Sequence, residues 1–526
     1  MKINKILGFA GLSLALALGA TSCKKSFLDT KPTDQAITQD VFKTVSGARS
    51  VINGMTRRLF DSDDHDQFSM PSINMTYDLM CEDMGLSAYG SNWFITSAVR
   101  WNDARGGSSY QWSIYYAVIN NANFILQNID AATGENEERN EVKAQAYAFR
   151  AWAYLQLIQC YQFPYNSIDG QYVVANGSSR TGAIGTATPA QALGVPIYTE
   201  PTKVGNPRAS MKDVIDQINR DLDSSIANFE KPGTPARRDK SQININVAKG
   251  IYARAALYQQ DWDKAATMAH DARQTWTLMS GAELLNGFNQ VSNREWIWGL
   301  VINAEQNGVY ASFMSHMDPD LKAYATGSQK IIGNSIFNGG GSIDTFLKRI
   351  PDTDIRRQWW LSNPSGVYAR RTQKKFYANS KTSFVADYPM MRTAEMYLIE
   401  AEAIAQQGAA GNLNDAKTLL AEFVVTRDPS YVTTNLVTKN SVIQEIWRQR
   451  RIELWGEGFR YFDAKRQMAK FTGGVTSLAA INRGSSGFVA SIIGSDNMVI
   501  NATDVKINWR IPGSELNQNL GVYQNP

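Results

Sequence analysis

ARAALYQQDWDKA, residues 253 to 265, decides the fold. Its alanines at 253, 255, 256 and 265 are interleaved with Leu257, Tyr258 and Trp262, and Ala272 follows seven residues beyond Ala265. Small and aromatic positions in this order describe a helix, a turn and a second helix across Val247 to Thr275. The unit recurs in degenerate form at Glu395 to Phe423, where EAEA at 400 to 403 precedes LNDA at 413 to 416. Each unit leaves a face that only a neighbouring unit covers, so two matches imply further pairs. Tyr147 to Phe163, inside the helical run Glu137 to Gln162, and the opening stretch around Asp40 to Leu59 are the candidates.

This spacing matches the tetratricopeptide helix pair. The expected fold is mainly α, with tetratricopeptide-like helix pairs forming a superhelical scaffold over about 41–165, 206–280 and 390–468. An irregular lobe of loops and short strands is expected over about 281–389, and an irregular tail over 469–526, all within a single body from 41 to 526. An ordinary helical bundle is the alternative. Ser113 to Ile129 reads as another helix, and Ser210, three positions before Asp213, caps the helix MKDVIDQINRDLDSSI. Ser167 to Ala192, rich in Gly, Ser, Thr and Ala, belongs on the surface. In the lobe NREWIWGLVIN suggests a strand with Trp296 and Trp298 in the core, and Gly339 to Gly341 a flexible turn.

Charge is densest in VIQEIWRQRRIELWGEGFRYFDAKRQ, Val442 to Gln467. As one helix it puts Ile452, Trp455, Phe459 and Phe462 on a buried face. Glu453 and Glu457 are four apart and Glu457 and Arg460 three, so carboxylates and guanidiniums are neighbours able to lock helices by forked hydrogen bonds.

The body is globular, with 43% hydrophobic and 19% charged residues in 526. The 13 Trp, 22 Tyr and 21 Phe exceed what a core of ordinary economy needs, so some rings should face outward to bind. The formal charge of +4 is spread among nearly as many acidic residues, with no basic stripe, which argues against a nucleic-acid partner. Residues 1–22 read as a secretory leader, with Lys2 and Lys5 before the apolar run Ile6 to Ala20 and small residues up to Cys23. The segment 23–40, containing KKSFLDTKPTDQ, reads as an extended tether. Cys81 and Cys160 could pair or stay as separate thiols, and the three histidines at 65, 270 and 316 give no zinc spacing. No metal or other cofactor is implied.

Residues chemically suited to a ligand lie in two places. Tyr77 to Gln111 is expected to be non-helical and carries Asp83, Tyr89, Asn92, Trp93, Trp101 and Arg105 among glycines. Rings stack on apolar faces, amides and ionic groups bond hydroxyls, and glycines let backbone approach; sugars call for that mixture. In the lobe, Tyr310 and His316 sit among small and polar residues and are the better ligand candidates. The run DSDDHD, 61 to 66, is expected to be a solvated loop, since it lacks the turn glycine of a calcium loop.

Several of these motifs, in order, resemble one family. They are Cys23 with FLDTKP following, GVPIYTEP with NPRASMKDVIDQINRDLD, DTDIRRQ at 352 to 358, YPMMRTAEMYLIEAEA at 388 to 403, RRIELWGEGFRYFDAKR at 450 to 466 and IPGSELNQNL at 511 to 520. Nearly end to end, the chain resembles the SusD/RagB-type nutrient-binding lipoproteins of Gram-negative outer membranes. The resemblance implies a Cys23 lipid anchor, a place on the outer membrane and its outer face, and a SusC-like TonB-dependent β-barrel transporter as partner. It implies capture of glycans, or in some branches peptides. Two departures stand out: Lys24-Lys25-Ser26 replaces the acidic residues that often follow the cysteine, and Arg510 replaces a proline.

Catalysis is not expected. Glu453 and Glu457 project from one helix face, whereas a glycosidase sets its two carboxyls on opposite sides of the bond. Arg448, Arg450, Arg451 and Arg460 nearby are expected to keep both ionised. The reading is a non-catalytic binding protein in which Trp93 and Trp101 stack, Tyr89 and Tyr310 supply amphipathic edges, and Asp83, Asn92 and Arg105 bond hydroxyls.

Overall fold

In the computed structural model, which describes residues 40–88, 93–94, 107–177, 179–303, 310–333, 350–366, 368–369, 371–408, 412–482 and 499–526, helices form where apolar spacing of three and four foretells them. α1 (Val45–Arg58) begins at Thr44, whose hydroxyl accepts from the Gly47 N–H. It is followed by α2 (Ser69–Leu79), α3 (Gly107–Asn128) and α4 (Asn136–Tyr161). α5 (Met211–Phe229) starts at Ser210, whose side chain accepts from the Asp213 N–H as its sequence foretells.

The deciding stretch is α6 (Ile245–Gln259) and α7 (Trp262–Arg273). Gln260 enters the left-handed region at φ 59°, which ends α6, and the Asp261 carboxylate then accepts from the Lys264 N–H to start α7. The second pair is α8 (Thr393–Gln407) and α9 (Asn412–Val424), separated at Gly408. The units cover one another in sequence: α3 packs on α4, α4 on α5, α5 on α6, α7 on α8, and α8 on both α9 and α10 (Lys439–Glu453). Alanines make this possible. Ala144, Ala146, Ala148, Ala151 and Ala153 of α4 are all fully buried, so neighbouring helices approach from several sides. The fold is thus the tetratricopeptide-like scaffold with short strand pairs set against it.

Two of those pairs tie the lobe to the scaffold. β1 (Met84–Leu86) runs antiparallel to β3 (Lys330–Ile332), with Gly85 opposite Ile331. β2 (Trp296–Leu300) runs antiparallel to β4 (Tyr388–Arg392), and Trp296 and Trp298 are both fully buried. The surface stretch after Ser167 forms an antiparallel hairpin, Gln171–Asn176 with Ser179–Thr186. Cys81 and Cys160 are buried and unbridged. Among the described residues no helix is long and apolar enough to cross a membrane.

Three sequence expectations are corrected. Val442 to Gln467 is two helices, α10 and α11 (Arg460–Gln467), because Gly456 and Gly458 between them adopt φ of 82° and 86°. A Cβ at Gly456 would lie 2.4 Å from the Phe376 ring, and one at Gly458 2.4 Å from the Asn74 Cβ. Ile452 and Trp455 are buried as expected, but the break leaves Phe459 and Phe462 only half-buried. Finally, the piece from Tyr77 to Gln111 is helical at both ends, since α2 extends through Tyr77 and Asp78 and α3 begins at Gly107.

Candidate functional site

A buried charge network joins the end of α10 and the bend after it to the lobe. Glu453, at the end of α10, accepts from Arg392 Nη1 at 2.9 Å, Arg427 Nη2 at 2.9 Å and Arg356 Nη1 at 3.1 Å. Glu457, in the bend, accepts from Arg392 Nη2 at 2.7 Å and Lys375 Nζ at 2.6 Å. Glu295 closes the set by pairing with Arg392 and Arg427. These groups come from the residue before β2, from β4, the DTDIRRQ turn, the loop at Lys375, the turn after α9, the end of α10 and the bend, so the network clamps lobe to scaffold. The cations beside Glu453 hold its carboxyl well below the usual range, and Arg392 and Lys375 lower Glu457.

The guanidiniums expected to do this are engaged elsewhere. Arg450 pairs with Asp463 at 3.0 Å, Arg448 with Glu445 at 2.7 Å and Arg460 with Glu82 at 2.6 Å. Breaking the helix at Gly456 turns these side chains away from Glu457. Arg451 grips Asp83, with Nε 2.9 Å from Oδ2, and the Trp455 indole donates to the Asp83 carbonyl at 2.8 Å. The segment leading into β1 is therefore bolted to the last turns of α10.

From that anchorage the chain reaches Trp93. β1 leaves β3 with the Ser87 N–H donating to the Gln329 carbonyl at 2.9 Å, and Ser328 Oγ donates to the Ala88 carbonyl at 2.8 Å. Trp93, half-buried, then lies flat on His65, with ring centroids 4.4 Å apart and planes 7° from parallel. His65 Nδ1 is hydrogen-bonded to the Tyr324 hydroxyl. Tyr324 stacks on His316 at 4.3 Å and meets the edge of Tyr310 at 4.6 Å, and Tyr310 meets Phe384 at 5.6 Å. The result is a connected cluster of rings, stacked at Trp93–His65 and His316–Tyr324 and edge to face at His65–Tyr324, Tyr324–Tyr310 and Tyr310–Phe384, in which Tyr310 is 48% exposed and the His65 side chain 46% exposed. The half-exposed carboxylate of Asp64 stands beside them. Flat rings with amphipathic edges and an adjacent acceptor suit a ligand with C–H faces and hydroxyl rims.

Of the residues chosen from sequence, Trp93 and Tyr310 join this surface, and His316 lies beneath it. His316 is 1% exposed and its Nε2–H donates to the His65 carbonyl at 2.8 Å. Burial, with Lys330 nearby, drives its pKa well down, so it supports the platform as a neutral ring. Asp83 is 2% exposed with its oxygens occupied by Arg451, which makes it an anchor in the interior rather than a surface acceptor. Tyr89, Asn92, Trp101, Arg105 and Cys23 lie outside the described residues, as does the Gly339 to Gly341 turn.

His65, Tyr324 and Phe384 are the members that sequence reasoning missed. His65 sits in DSDDHD, whose acids do pair outward, Asp61 with Arg57 and Asp63 with Arg58. A lone histidine inside an acidic run carries no apolar pattern to betray that it meets a tryptophan. Long-range contacts hold it against the lobe: the Ser62 hydroxyl donates to the Ala311 carbonyl at 3.0 Å and His316 Nε2–H to the His65 carbonyl at 2.8 Å.

The chain matches a model described as "SusD family" over residues 295–526 and one described as "Starch-binding associating with outer membrane" over residues 26–231. It is similar to a SusD-like carbohydrate binding protein from Bacteroides vulgatus, with 27% identity, 91% of this chain and 97% of that chain covered, and a TM-score of 0.70. A SusD superfamily protein from Bacteroides thetaiotaomicron shares the fold at 21% identity, with 92% and 100% covered and a TM-score of 0.69. Surface glycan-binding protein A from Bacteroides uniformis shares it at 17% identity, 92% and 99% coverage and a TM-score of 0.64. No curated protein matches the chain.

Proposed function

Since the chain belongs to the SusD family of carbohydrate-binding proteins, we propose that it captures an oligosaccharide or polysaccharide without cleaving it and hands it to a SusC-like TonB-dependent transporter. The observation that carries this reading is the half-exposed ring cluster of Trp93, His65 and Tyr310, beside the β1–β3 pair. Such a surface binds a sugar by stacking and needs no reacting group.

A hydrolytic role is disfavoured by the same geometry. Glu453 is fully buried and Glu457 nearly so, both are bonded to cations, and both are held ionised, so neither is an accessible acid. The lipid anchor at Cys23, placement on the outer face of the outer membrane and contributions from Tyr89, Asn92, Trp101 and Arg105 belong to this proposal. The family description, which names association with the outer membrane, supports the location.

Peptide capture is the second reading, because rings and exposed backbone also recognise extended peptides. Calorimetry of the full chain against a panel of plant and host glycans and a panel of peptides separates the two. Binding confined to glycans, and weakened by Trp93→Ala or Trp101→Ala, supports the proposal. Binding confined to peptides, or glycan affinity unchanged in both variants, refutes it.

A further inference from the structure

The run DSDDHD, 61 to 66, brings two polar groups to the rim of the ring cluster, Asp64 and His65. Asp61 and Asp63 are spent on Arg57 and Arg58, whereas Asp64 meets no lysine or arginine among the described residues. His65 is fixed by its neighbours. Its backbone N–H donates to Asp64 Oδ1 at 2.7 Å, its carbonyl accepts from His316 Nε2–H at 2.8 Å, its ring lies flat on Trp93, and Nδ1 is bonded to the Tyr324 hydroxyl. Tyr324 is 5% exposed and packed against His316 and Tyr310, so it orients the imidazole from the interior. What remains is His65 Nε2, 3.9 Å from Asp64 Oδ1, on side chains that are both about half-exposed.

That spacing decides where the His65 proton sits. A neutral imidazole carries one N–H and one bare nitrogen, and the partner of one nitrogen selects the tautomer. With the proton on Nδ1, the Nε2 lone pair would face a carboxylate, acceptor against acceptor. With the Tyr324 phenol donating to Nδ1, the proton is on Nε2 and faces Asp64 with the favourable sign.

At 3.9 Å the N–H and the carboxylate are too far apart to bond one another, since such bonds span about 2.7–3.2 Å, but one oxygen placed beside them reaches both. A hydroxyl is the group that serves: it accepts from Nε2–H and donates to Asp64. Asp64 Oδ2, engaged by no described residue, takes a neighbouring hydroxyl. A peptide carbonyl accepts but has no proton to donate, and a uronate or sulfate group meets the Asp64 charge.

We propose that Asp64 and His65 form a hydroxyl clamp at the edge of the ring cluster, with Tyr324 as the positioning residue that keeps the His65 proton on Nε2, and that this clamp selects neutral sugars with adjacent free hydroxyls over acidic ones. It rests on the ring cluster being the glycan surface and adds the class of sugar that the surface takes.

Two measurements test it. With the full chain carrying 15N-histidine at about pH 8, where an ordinary imidazole is neutral, long-range 1H–15N NMR should show His65 as the Nε2–H tautomer, its signals identified by their loss in His65→Phe. Tyr324→Phe should convert part of it to Nδ1–H. A parent protein with the proton on Nδ1 overturns the proposal before any ligand is added. Calorimetry then uses maltoheptaose, xylohexaose and mannohexaose as neutral probes, and trigalacturonate and a chondroitin sulfate hexasaccharide as acidic ones. At least one neutral probe should bind, and the acidic ones should bind about tenfold more weakly or not at all. Asp64→Asn should weaken the neutral probe about tenfold and narrow its lead over the acidic ones, and His65→Phe, which keeps a ring on Trp93 and loses the donor, should weaken it roughly three- to tenfold. Affinity lowered by Trp93→Ala but untouched by Asp64→Asn and His65→Phe overturns the clamp and leaves the glycan surface standing. Affinity untouched in all three variants, or no neutral probe bound, overturns the surface and the clamp with it. Tighter binding of the acidic probes overturns the sugar class.

Discussion

Asp83 and Arg451 are 368 positions apart in sequence and form a forked ion pair, with Arg451 Nε 2.9 Å from Oδ2 and 3.2 Å from Oδ1, both residues at most 10% exposed along their side chains. The pair joins the end of the charged helix to the segment that leads to the ring cluster. Asp83→Asn should destabilise the fold by about 1–3 kcal/mol in urea unfolding, less than a full buried pair, because Glu82 still reaches Arg451 at 3.1 Å. Glycan affinity should fall with it only as far as β1 is displaced. A variant of unchanged stability that no longer bound glycan would instead make Asp83 a ligand residue.

Glu453→Gln leaves Arg392, Arg427 and Arg356 short of a shared carboxylate, and removal of one member of a buried pair costs about 3–5 kcal/mol. Denaturant midpoints should drop while calorimetric affinity, measured on the folded fraction, stays the same. The acid side follows from the direction of the shift. A carboxyl held below its ordinary value of 4.5 stabilises the fold above that pH, and the contribution is lost as pH falls through the depressed folded value. The variant should therefore unfold less steeply with acid than the parent.

Lys465 gives a slope of the same sign at alkaline pH. It is buried, donates to the Gln159 carbonyl at 2.6 Å and Asn508 Oδ1 at 2.8 Å, meets no carboxylate, and is pushed down from 10.5 to about 7. Between those values the unfolded chain holds the proton and the folded chain does not, so stability rises with pH across that window. Lys330 and Lys375, pushed to about 7 and about 8, act with the same sign. Lys465→Met should reduce the slope of unfolding free energy against pH by up to ~1.4 kcal/mol per unit between pH 7.5 and 9.5.

Tyr310→Ala and His65→Ala should each weaken oligosaccharide binding by about 0.5–1.5 kcal/mol, up to roughly tenfold in Kd, the range measured for ring contacts. His65→Ala should be the larger loss, because it removes the ring beneath Trp93 as well as its own exposed edge. Equal affinity in both variants and the parent would exclude the ring cluster as the binding surface.

Gly458→Ala should cost about 2–4 kcal/mol in thermal or urea unfolding, since it combines φ of 86° with a Cβ 2.4 Å from that of Asn74. The backbone N–H groups of Gly458 and Arg460 both donate to Asp78, at 2.9 and 3.1 Å, so the bend has no freedom to relax. Gly54, whose Cβ would meet nothing within 4 Å, is the control and should tolerate alanine.

The sequence by itself determined the helix pairs. Alanines and rings at spacings of three and four around Ala253 to Ala265 fixed α6 and α7, the same pattern at Glu395 to Phe423 fixed α8 and α9, and Ser210 fixed the start of α5. These are local signals, written within a turn or two of helix. The tertiary structure decided the rest: that WGEG breaks a helix, that Glu453 and Glu457 meet Arg392 and not their own helix's arginines, that Asp83 and His316 turn inward, and that His65 reaches Trp93. At Gly456 and Gly458 positive φ coincides with Phe376 and Asn74 occupying the space a side chain would need, a long-range fact that no local pattern carries. A charged or aromatic side chain has several chemically equal partners along the chain, and packing across hundreds of residues chooses among them.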